Sequence, residues 1–435
     1  MRRLTFVERT VEGYADGLAK ALEDAPPRVR FIAGDALAPE VAARLRALRP
    51  DVRITTDDDP VGEAGQAGGN APLVALFGAT GEILSPHLAG FLDARSVHVV
   101  APITNHYHRN KVLFLVSIPK AGTHLLFELA KAFGIEEGGE CPLIPRFWEW
   151  PGHWFYLEYS NSHTAAPDFF LDTTRRRPFG NRDHPFARNP TLFIYRNPLD
   201  ILVSEANYYH EDGKTLFSGY LAHLSYEERL LRLIDDPWLL GTLRDRIGKF
   251  LAWLDFGSVI PVSFEELVGP QGGGDRTVQL DLIWSLQLKL HVAGRPETFA
   301  DRVFNQNSPT FRFGRIGAHR ERLTDAARER LAALPQDFMT VPGYHDDSPF
   351  PRRADEFRRR MPIYSRVRYG RQPILEKADC MGHNIIRFDN RFVAVPRSAG
   401  PIDLASLPQS ALDGLLHSTD LTELEHLIFL ATRTT

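Results

Sequence analysis

The sequence predicts an α/β protein, a parallel sheet flanked by helices, with a small N-terminal α/β module and a small C-terminal module added. Three observations predict this. The runs "VLFLV", "TLFIY" and "SVIPV" are continuously apolar, as strands covered on both faces are. Helical patterns separate them, as the crossovers of a parallel sheet require. The first two runs each end in a polar turn that opens directly onto a helix.

The elements follow in order. Over residues 25–105, "VRFIAGD" reads as strand, "APEVAARLRALRP" as helix and "DVRITT" as strand. A polar, Gly-rich connection, "DDDPVGEAGQAGGNAP", comes next, and its three aspartates read as a solvated loop. "PLVALFGATG", a helical "LSPHLAGFLDARS" and "VHVVAP" complete an N-terminal module of unknown role at 1–105. "GATG" is read as a turn, because a dinucleotide fingerprint needs three glycines in register. The second region, 106–350, carries the three apolar strands, and "GPQGGGD" marks a flexible loop within it. The rest, 351–435, reads as a basic linker, "PRRADEFRRRMPIYSRVRYGR", followed by a small module. That module is a hairpin around Asp389-Asn390 and an amphipathic helix over "ASLPQSALDGLLHSTDLTELEHLIFLA".

Composition narrows the function. The chain has 435 residues and a formal net charge of -4, so no overall charge draws it to nucleic acid or an anionic membrane. Cys141 and Cys380 form no zinc spacing or disulfide framework, which fits a reducing compartment. "NHYHRN" reads as a linker, with no third metal ligand evident. No apolar run reaches a membrane span and the start lacks a leader pattern, so a soluble cytoplasmic protein is expected.

The stretch that carries chemistry is "FLVSIPKAGTHLL". A buried strand, a turn and a helix with Leu125, Leu126, Leu129 and Phe133 on one face follow one another. The first amides of a helix have no intrahelical partner, and the helix dipole favours a negative charge there. Lys120 adds a cation, Gly122 lets the backbone approach closely and Thr123 adds a hydroxyl. Phosphate or sulfate fits such a turn. The Gly-Lys-Ser/Thr order of an ATP loop is missing. The plain alternative is an ordinary turn with a surface lysine.

A second junction lies in "TLFIYRNPLDILVSEANYYH". Asn197 suits the N-cap, Pro198 the first helical position and Asp200 the first turn. Arg196 at the strand end and Ser204 on the helix can hold a second anion between them. The plain alternative is an Arg–carboxylate bridge and a surface serine.

Together these two motifs resemble the sulfotransferase family that uses 3′-phosphoadenosine 5′-phosphosulfate (PAPS), in its bacterial-type form. "SIPKAGTHLL" is similar to the 5′-phosphosulfate loop and "YRNPLDILVS" to the 3′-phosphate motif, with Arg196 and Ser204 at the family spacing. "FRFGRIGAHRERLT" resembles the loop that closes over the 3′-phosphate: Arg312, Gly314 and Gly317 match, while Phe313, Ala318 and His319 depart from Lys, Asp and Trp. In "VSFEELVGPQGGG", Phe264 replaces a frequent Tyr and keeps a ring for base stacking. The resemblance covers residues 106–340 and implies a P-loop-like sheet.

It further implies an enzyme that moves a sulfuryl group in line from PAPS to a hydroxyl-bearing acceptor, a saccharide or another small molecule, without a metal. Lys120, Ala121, Gly122, Thr123 and His124 would hold the 5′ end of PAPS. Arg196, Ser204, Arg312 and Gly314 would hold the 3′-phosphate, and Phe264 the base. His184, in "NRDHPFARNP", is the expected general base beside Lys120, with His163 and Glu158 in reserve. Residues 141–182 are rich in aromatic and basic side chains: Trp148, Trp150, Trp154 and Tyr156 line the acceptor or pack as a flap on the core. Two other readings stand beside this one, a PAPS-binding pseudoenzyme or scaffold and, with less support, a P-loop kinase.

Overall fold

Two parallel sheets organise the N-terminal part of the chain, and their central strands are buried, mainly apolar runs. The computed structural model describes residues 1–56, 61, 71–77, 80–103, 111–140, 150–156, 189–239, 241–255, 259–304, 315–345, 348–361, 374–388, 391–399, 404 and 409–433. The first sheet holds β1 (Arg2–Val7), β2 (Arg28–Ile32), β3 (Arg53–Thr56), β4 (Leu73–Leu76) and β5 (Val97–Pro102) in the order β1-β5-β4-β2-β3. Every pair in it is parallel. Helices Val11–Ala21, Ala38–Leu48 and Thr80–Asp93 supply crossovers. Thr10 caps the first of them, accepting from the Gly13 amide.

The second sheet holds β6 (Leu113–Ser117), β7 (Glu136–Glu140), β8 (His153–Tyr156), β9 (Thr191–Tyr195) and β10 (Val259–Ser263). Its order is β10-β9-β6-β8-β7, again all parallel. From β6 the chain leaves toward β7 and β8; from β9 it leaves toward β10. Neighbouring strands whose connections diverge in this way open a crevice at their carboxyl ends. That crevice lies between β6 and β9, the two strands that end in the anion-type motifs. Chain geometry at β7 is set by glycine: a Cβ on Gly138 would fall 2.3 Å from the Phe155 ring.

Met1–Pro362 is one compact unit, so both sheets belong to the same body. Helix Arg276–Leu290 binds them together. Its Trp284 and Leu288 sit in the same apolar cluster as Leu4, Val74, Leu76 and Val99 of the first sheet. Trp284 donates its indole N–H to the Phe91 carbonyl at 2.7 Å, and Arg2 pairs with Asp281. The helix is buried all round from Leu282 to Leu290, and the polar side chains caught there are bonded: Gln287 donates to the Val292 carbonyl at 3.1 Å and Lys289 to the Phe357 carbonyl at 2.8 Å. The arginines of 353–360 are spent inside the same unit. Arg358 pairs with the buried Glu266, Arg359 with Asp93 at 2.8 Å, and Arg360 donates to the Leu254 and Val259 carbonyls. The stretch read as flexible, "GPQGGGD", is a closed 3-10 turn at Pro270–Gly272, with the Gly274 amide bonded to the Gly269 carbonyl at 2.8 Å.

Ile363–Thr435 forms the second unit. Antiparallel β11 (Ile374–Cys380), β12 (His383–Phe388), β13 (Arg391–Pro396) and β14 (His417–Ser418) make its sheet. The expected hairpin is β12–β13, with Phe388 opposite Arg391. The expected continuous helix is broken into Gln409–Asp413, β14 and Leu421–Arg433. The break is chemical: Ser418 and Asp420 cap a new helix start by accepting from the Asp420 and Glu423 amides. Leu424 and Ile428 of the last helix pack on Cys380, Ile385 and Ala394. Among the described residues, no helix is long and apolar enough to cross a membrane.

Candidate functional site

The lysine turn is built on strain and close approach. β6 is wholly buried, and the helix Thr123–Ala132 begins six residues after it. Two residues of the turn are left-handed, Lys120 at φ 65 and Gly122 at φ 110. Gly122 accepts this freely, and a Cβ there would lie 2.9 Å from the Phe264 ring. Ala121 is buried and spends its amide on the Ile118 carbonyl at 2.9 Å. Thr123 donates its hydroxyl to Ser117 Oγ at 2.9 Å, and Ser117 donates onward to the Ile118 carbonyl at 2.7 Å. The Tyr156 hydroxyl stands 3.5 Å from Thr123 Oγ1, so the end of β8 also reaches this turn.

Arg196 ties the second junction to the first. It donates to the Lys120 carbonyl at 3.4 Å and to the Arg315 carbonyl at 2.8 Å. Its guanidinium lies 4.1 Å above the Phe264 ring centroid. The side chain is only 7% exposed, and Asp200 is 3.7 Å away. The Arg–carboxylate bridge foreseen as the plain alternative is therefore present. It does not use the whole fork: Nε is buried with no hydrogen-bond partner among the described residues. A buried charged donor left in this state loses free energy until an acceptor meets it.

Asn197 caps the Pro198–Tyr208 helix by accepting from the Leu199 amide at 2.9 Å. Asp200, wholly buried, accepts from the Gly317 amide at 2.8 Å, the His319 amide at 2.9 Å and His319 Nδ1 at 2.7 Å. Burial alone would raise its carboxyl, yet the His319 hydrogen bond and the Arg196 charge hold it below the ordinary carboxylate range. Loop 315–319 is thereby fastened to the arginine junction, and the Ile316 amide bonds the Gly272 carbonyl at 3.0 Å. Ser204 is half-buried on the same helix, one turn after Asp200 and one turn before Tyr208. Lys120 Nζ sits 3.4 Å from the Tyr208 ring centroid.

Two further groups shape the site. His124 is half-buried and edge-on to Phe127; burial and the Lys120 charge hold its imidazole below its ordinary pKa. Phe127 in turn stacks on Trp154 at 4.8 Å. Glu265, behind Arg196, is fully buried and accepts from the Asn197 amide and the Tyr344 hydroxyl. Burial pushes its carboxyl up to about 7.

Of the residues singled out in the sequence, Lys120, Ala121, Gly122, Thr123, Arg196 and Phe264 meet around one crevice. His124 lies in the first turn of one bounding helix and Ser204 on the other. Phe264 is 3% exposed and lies between Gly122 and the Arg196 guanidinium, so its ring packs under the arginine. Trp154 and Tyr156 are buried core residues, and Trp150 is exposed. His184, His163, Glu158, Trp148, Arg312 and Gly314 lie outside the described residues. Sequence reasoning missed Tyr208 and the latch between Asp200 and His319, and it named Tyr156 without its contact to Thr123. The signal for Tyr208 was its place one turn after Ser204.

No family model and no curated protein matches the chain. Among solved structures, it is similar to mouse sulfotransferase SULT7A1 complexed with PAP, at 15% sequence identity and a TM-score of 0.36. That similarity covers 57% of this chain and 90% of the mouse chain.

Proposed function

We infer that the chain is a sulfotransferase that takes PAPS as donor and a hydroxyl compound as acceptor. The observation that carries this reading is the buried Arg196 fork with its unpartnered Nε, held against the backbone of the lysine turn. An anion with oxygens at both places satisfies two requirements together. The first-turn amides of Thr123–Ala132 and the Lys120 ammonium take one group, and Arg196 with Ser204 takes the other. A donor phosphorylated at both its 3′ and 5′ positions offers such a pair. ATP leaves the arginine half unmatched.

PAPS supplies a sulfuryl group on a good leaving phosphate. The chain supplies position and charge. Lys120 and the turn amides stabilise the negative charge that gathers on the 5′-phosphate oxygen as its bond to sulfur breaks. The new bond forms between sulfur and the acceptor oxygen, whose proton passes to a base. His184 is the base of this proposal, and Glu158 and His163 are the alternatives. Thr123 bonds the 5′-phosphate after its hydroxyl turns away from Ser117.

The test is transfer of sulfur-35 from labelled PAPS to a panel of saccharide, phenol and alcohol acceptors, with wild type and Lys120→Ala. Labelled product that falls by about 10²–10³-fold in the variant supports the reading. Tight donor binding with no transfer to any acceptor class would leave a binding protein in place of an enzyme.

A further inference from the structure

Tyr208 lies on the helix face that also carries Asp200 and Ser204, at successive one-turn steps. Its ring receives the Lys120 ammonium at 3.4 Å from the centroid, well inside the roughly 6 Å reach of a cation–π contact. Lys214 approaches the same ring at 5.2 Å, which raises the local positive charge beside it. The other end of Lys120 is pinned as well. Its backbone is left-handed, its carbonyl accepts from Arg196, and the adjoining Ala121 amide closes on Ile118. A non-glycine residue keeps such a φ only where its surroundings hold it.

A lysine stem is a flexible four-carbon chain, and fixing it costs side-chain entropy. With the backbone fixed at one end and the ring fixing the other, that cost is met before any anion arrives. Preorganisation of this kind favours the reaction step, because the charge is in place when it is needed.

We propose that Tyr208 is a positioning residue for Lys120, acting through the π face of its ring and not through its hydroxyl. The ring keeps the ammonium beside the first-turn amides of the Thr123–Ala132 helix. The contact of the ammonium with the Tyr208 ring stands on the geometry alone. The kinetic consequence rests on the transfer reading above.

The chain has eight lysines, few enough to resolve singly. Reductive methylation with carbon-13 formaldehyde labels each, and Lys120→Arg assigns the Lys120 signal. An ammonium over an aromatic ring gives methyl resonances displaced upfield by the ring current. The displacement is expected in wild type and Tyr208→Phe and is lost in Tyr208→Leu. In the transfer assay, Tyr208→Leu lowers kcat about tenfold, with Tyr208→Phe close to wild type and KM for the acceptor little changed.

Three results would overturn the proposal: no upfield Lys120 signal in wild type, a signal that persists in Tyr208→Leu, or a Tyr208→Phe enzyme as slow as Tyr208→Leu. If Tyr208→Leu does not fold, the wild-type and Tyr208→Phe spectra still decide the ring contact. If no acceptor is turned over by wild type, the transfer reading fails, and the spectra judge the lysine contact separately.

Discussion

Replacing Gly122 by alanine tests whether the lysine turn has the shape described. Gly122 sits at φ 110 and ψ 38, where an L-residue is strained by about 1–2 kcal/mol. The new Cβ would stand 2.9 Å from Phe264 Cδ2, 3.3 Å from Ile194 Cδ1 and 3.4 Å from Leu125 Cδ1. Phe264 is the atom set that must move, because its contact is the shortest. It is held on its other side by the Arg196 guanidinium, so the displacement adds about 0.5–1.5 kcal/mol of rotamer strain. Alanine also stiffens the unfolded chain, which offsets less than about 1 kcal/mol. The net cost is about 2 kcal/mol, measured as a lowered urea midpoint at constant slope. Because the strain reaches both of the proposed anion contacts, binding of adenosine 3′,5′-bisphosphate weakens at least about tenfold by calorimetry. In a Phe264→Leu background the same alanine costs less, since the obstructing ring is gone. A Gly122→Ala protein within about 0.5 kcal/mol of wild type, with unchanged affinity, would refute this account of the turn.

Arg246 and Glu205 form a buried pair at 2.7 Å, with Arg246 also donating to the Gly241 and Leu233 carbonyls. Arg246→Ala strands the Glu205 carboxylate and lowers urea stability by about 3–5 kcal/mol, whereas Arg246→Met with Glu205→Leu recovers most of it; a loss under about 1 kcal/mol would contradict the pairing. Glu265 titrates near 7 when folded, against 4.5 as its ordinary value, because burial disfavours its charge. The folded state therefore holds a proton that the unfolded state has released, so stability falls as pH rises from about 4.5 to 7, by roughly 3 kcal/mol. Glu265→Gln removes that fall, and parallel stability curves for the two proteins would contradict it. Among His184→Ala, Glu158→Ala and His163→Ala, one variant loses about 10²–10⁴ in kcat and the others stay near wild type; three near-wild-type enzymes would exclude all of these bases.

The parts of this architecture that were legible in the sequence are those with local causes. β4, β6, β9 and β10 are short, buried, mainly apolar runs, β5 is buried throughout with one histidine, and in β2 arginines alternate with the buried Val29 and Phe31. The start of the Pro198–Tyr208 helix was readable because Asn197, Pro198 and Asp200 each suit one position of a helix start. Lys120, Gly122 and Arg196 stood out because strand-to-helix turns that hold anions need cations and a residue free of a side chain. What stayed hidden depends on partners distant in the chain. β7, "EEGGE", is a polar edge strand, visible only once Phe155 is seen against Gly138. β8 is four residues long and sat inside an aromatic stretch, where pairing with β6 and not periodicity makes it a strand. The arginines of 353–360 read as part of a basic linker because their partners, Asp93, Glu266 and the Leu254 and Val259 carbonyls, lie far away in sequence. Asp200 was read as a helix-dipole acid, and its bond to His319 spans 119 residues. Phe264 was read as a base-stacking ring, and its place under Arg196 follows from the pairing of β10 with β9.

The measurement that bears most directly on the account is the binding of adenosine 3′,5′-bisphosphate and of ATP, each by calorimetry, to wild type and Arg196→Ala. The account predicts that the bisphosphate binds wild type at least about tenfold more tightly than ATP does, and that the difference vanishes in Arg196→Ala. Equal binding of the two nucleotides by wild type, or a preference for ATP, would contradict it.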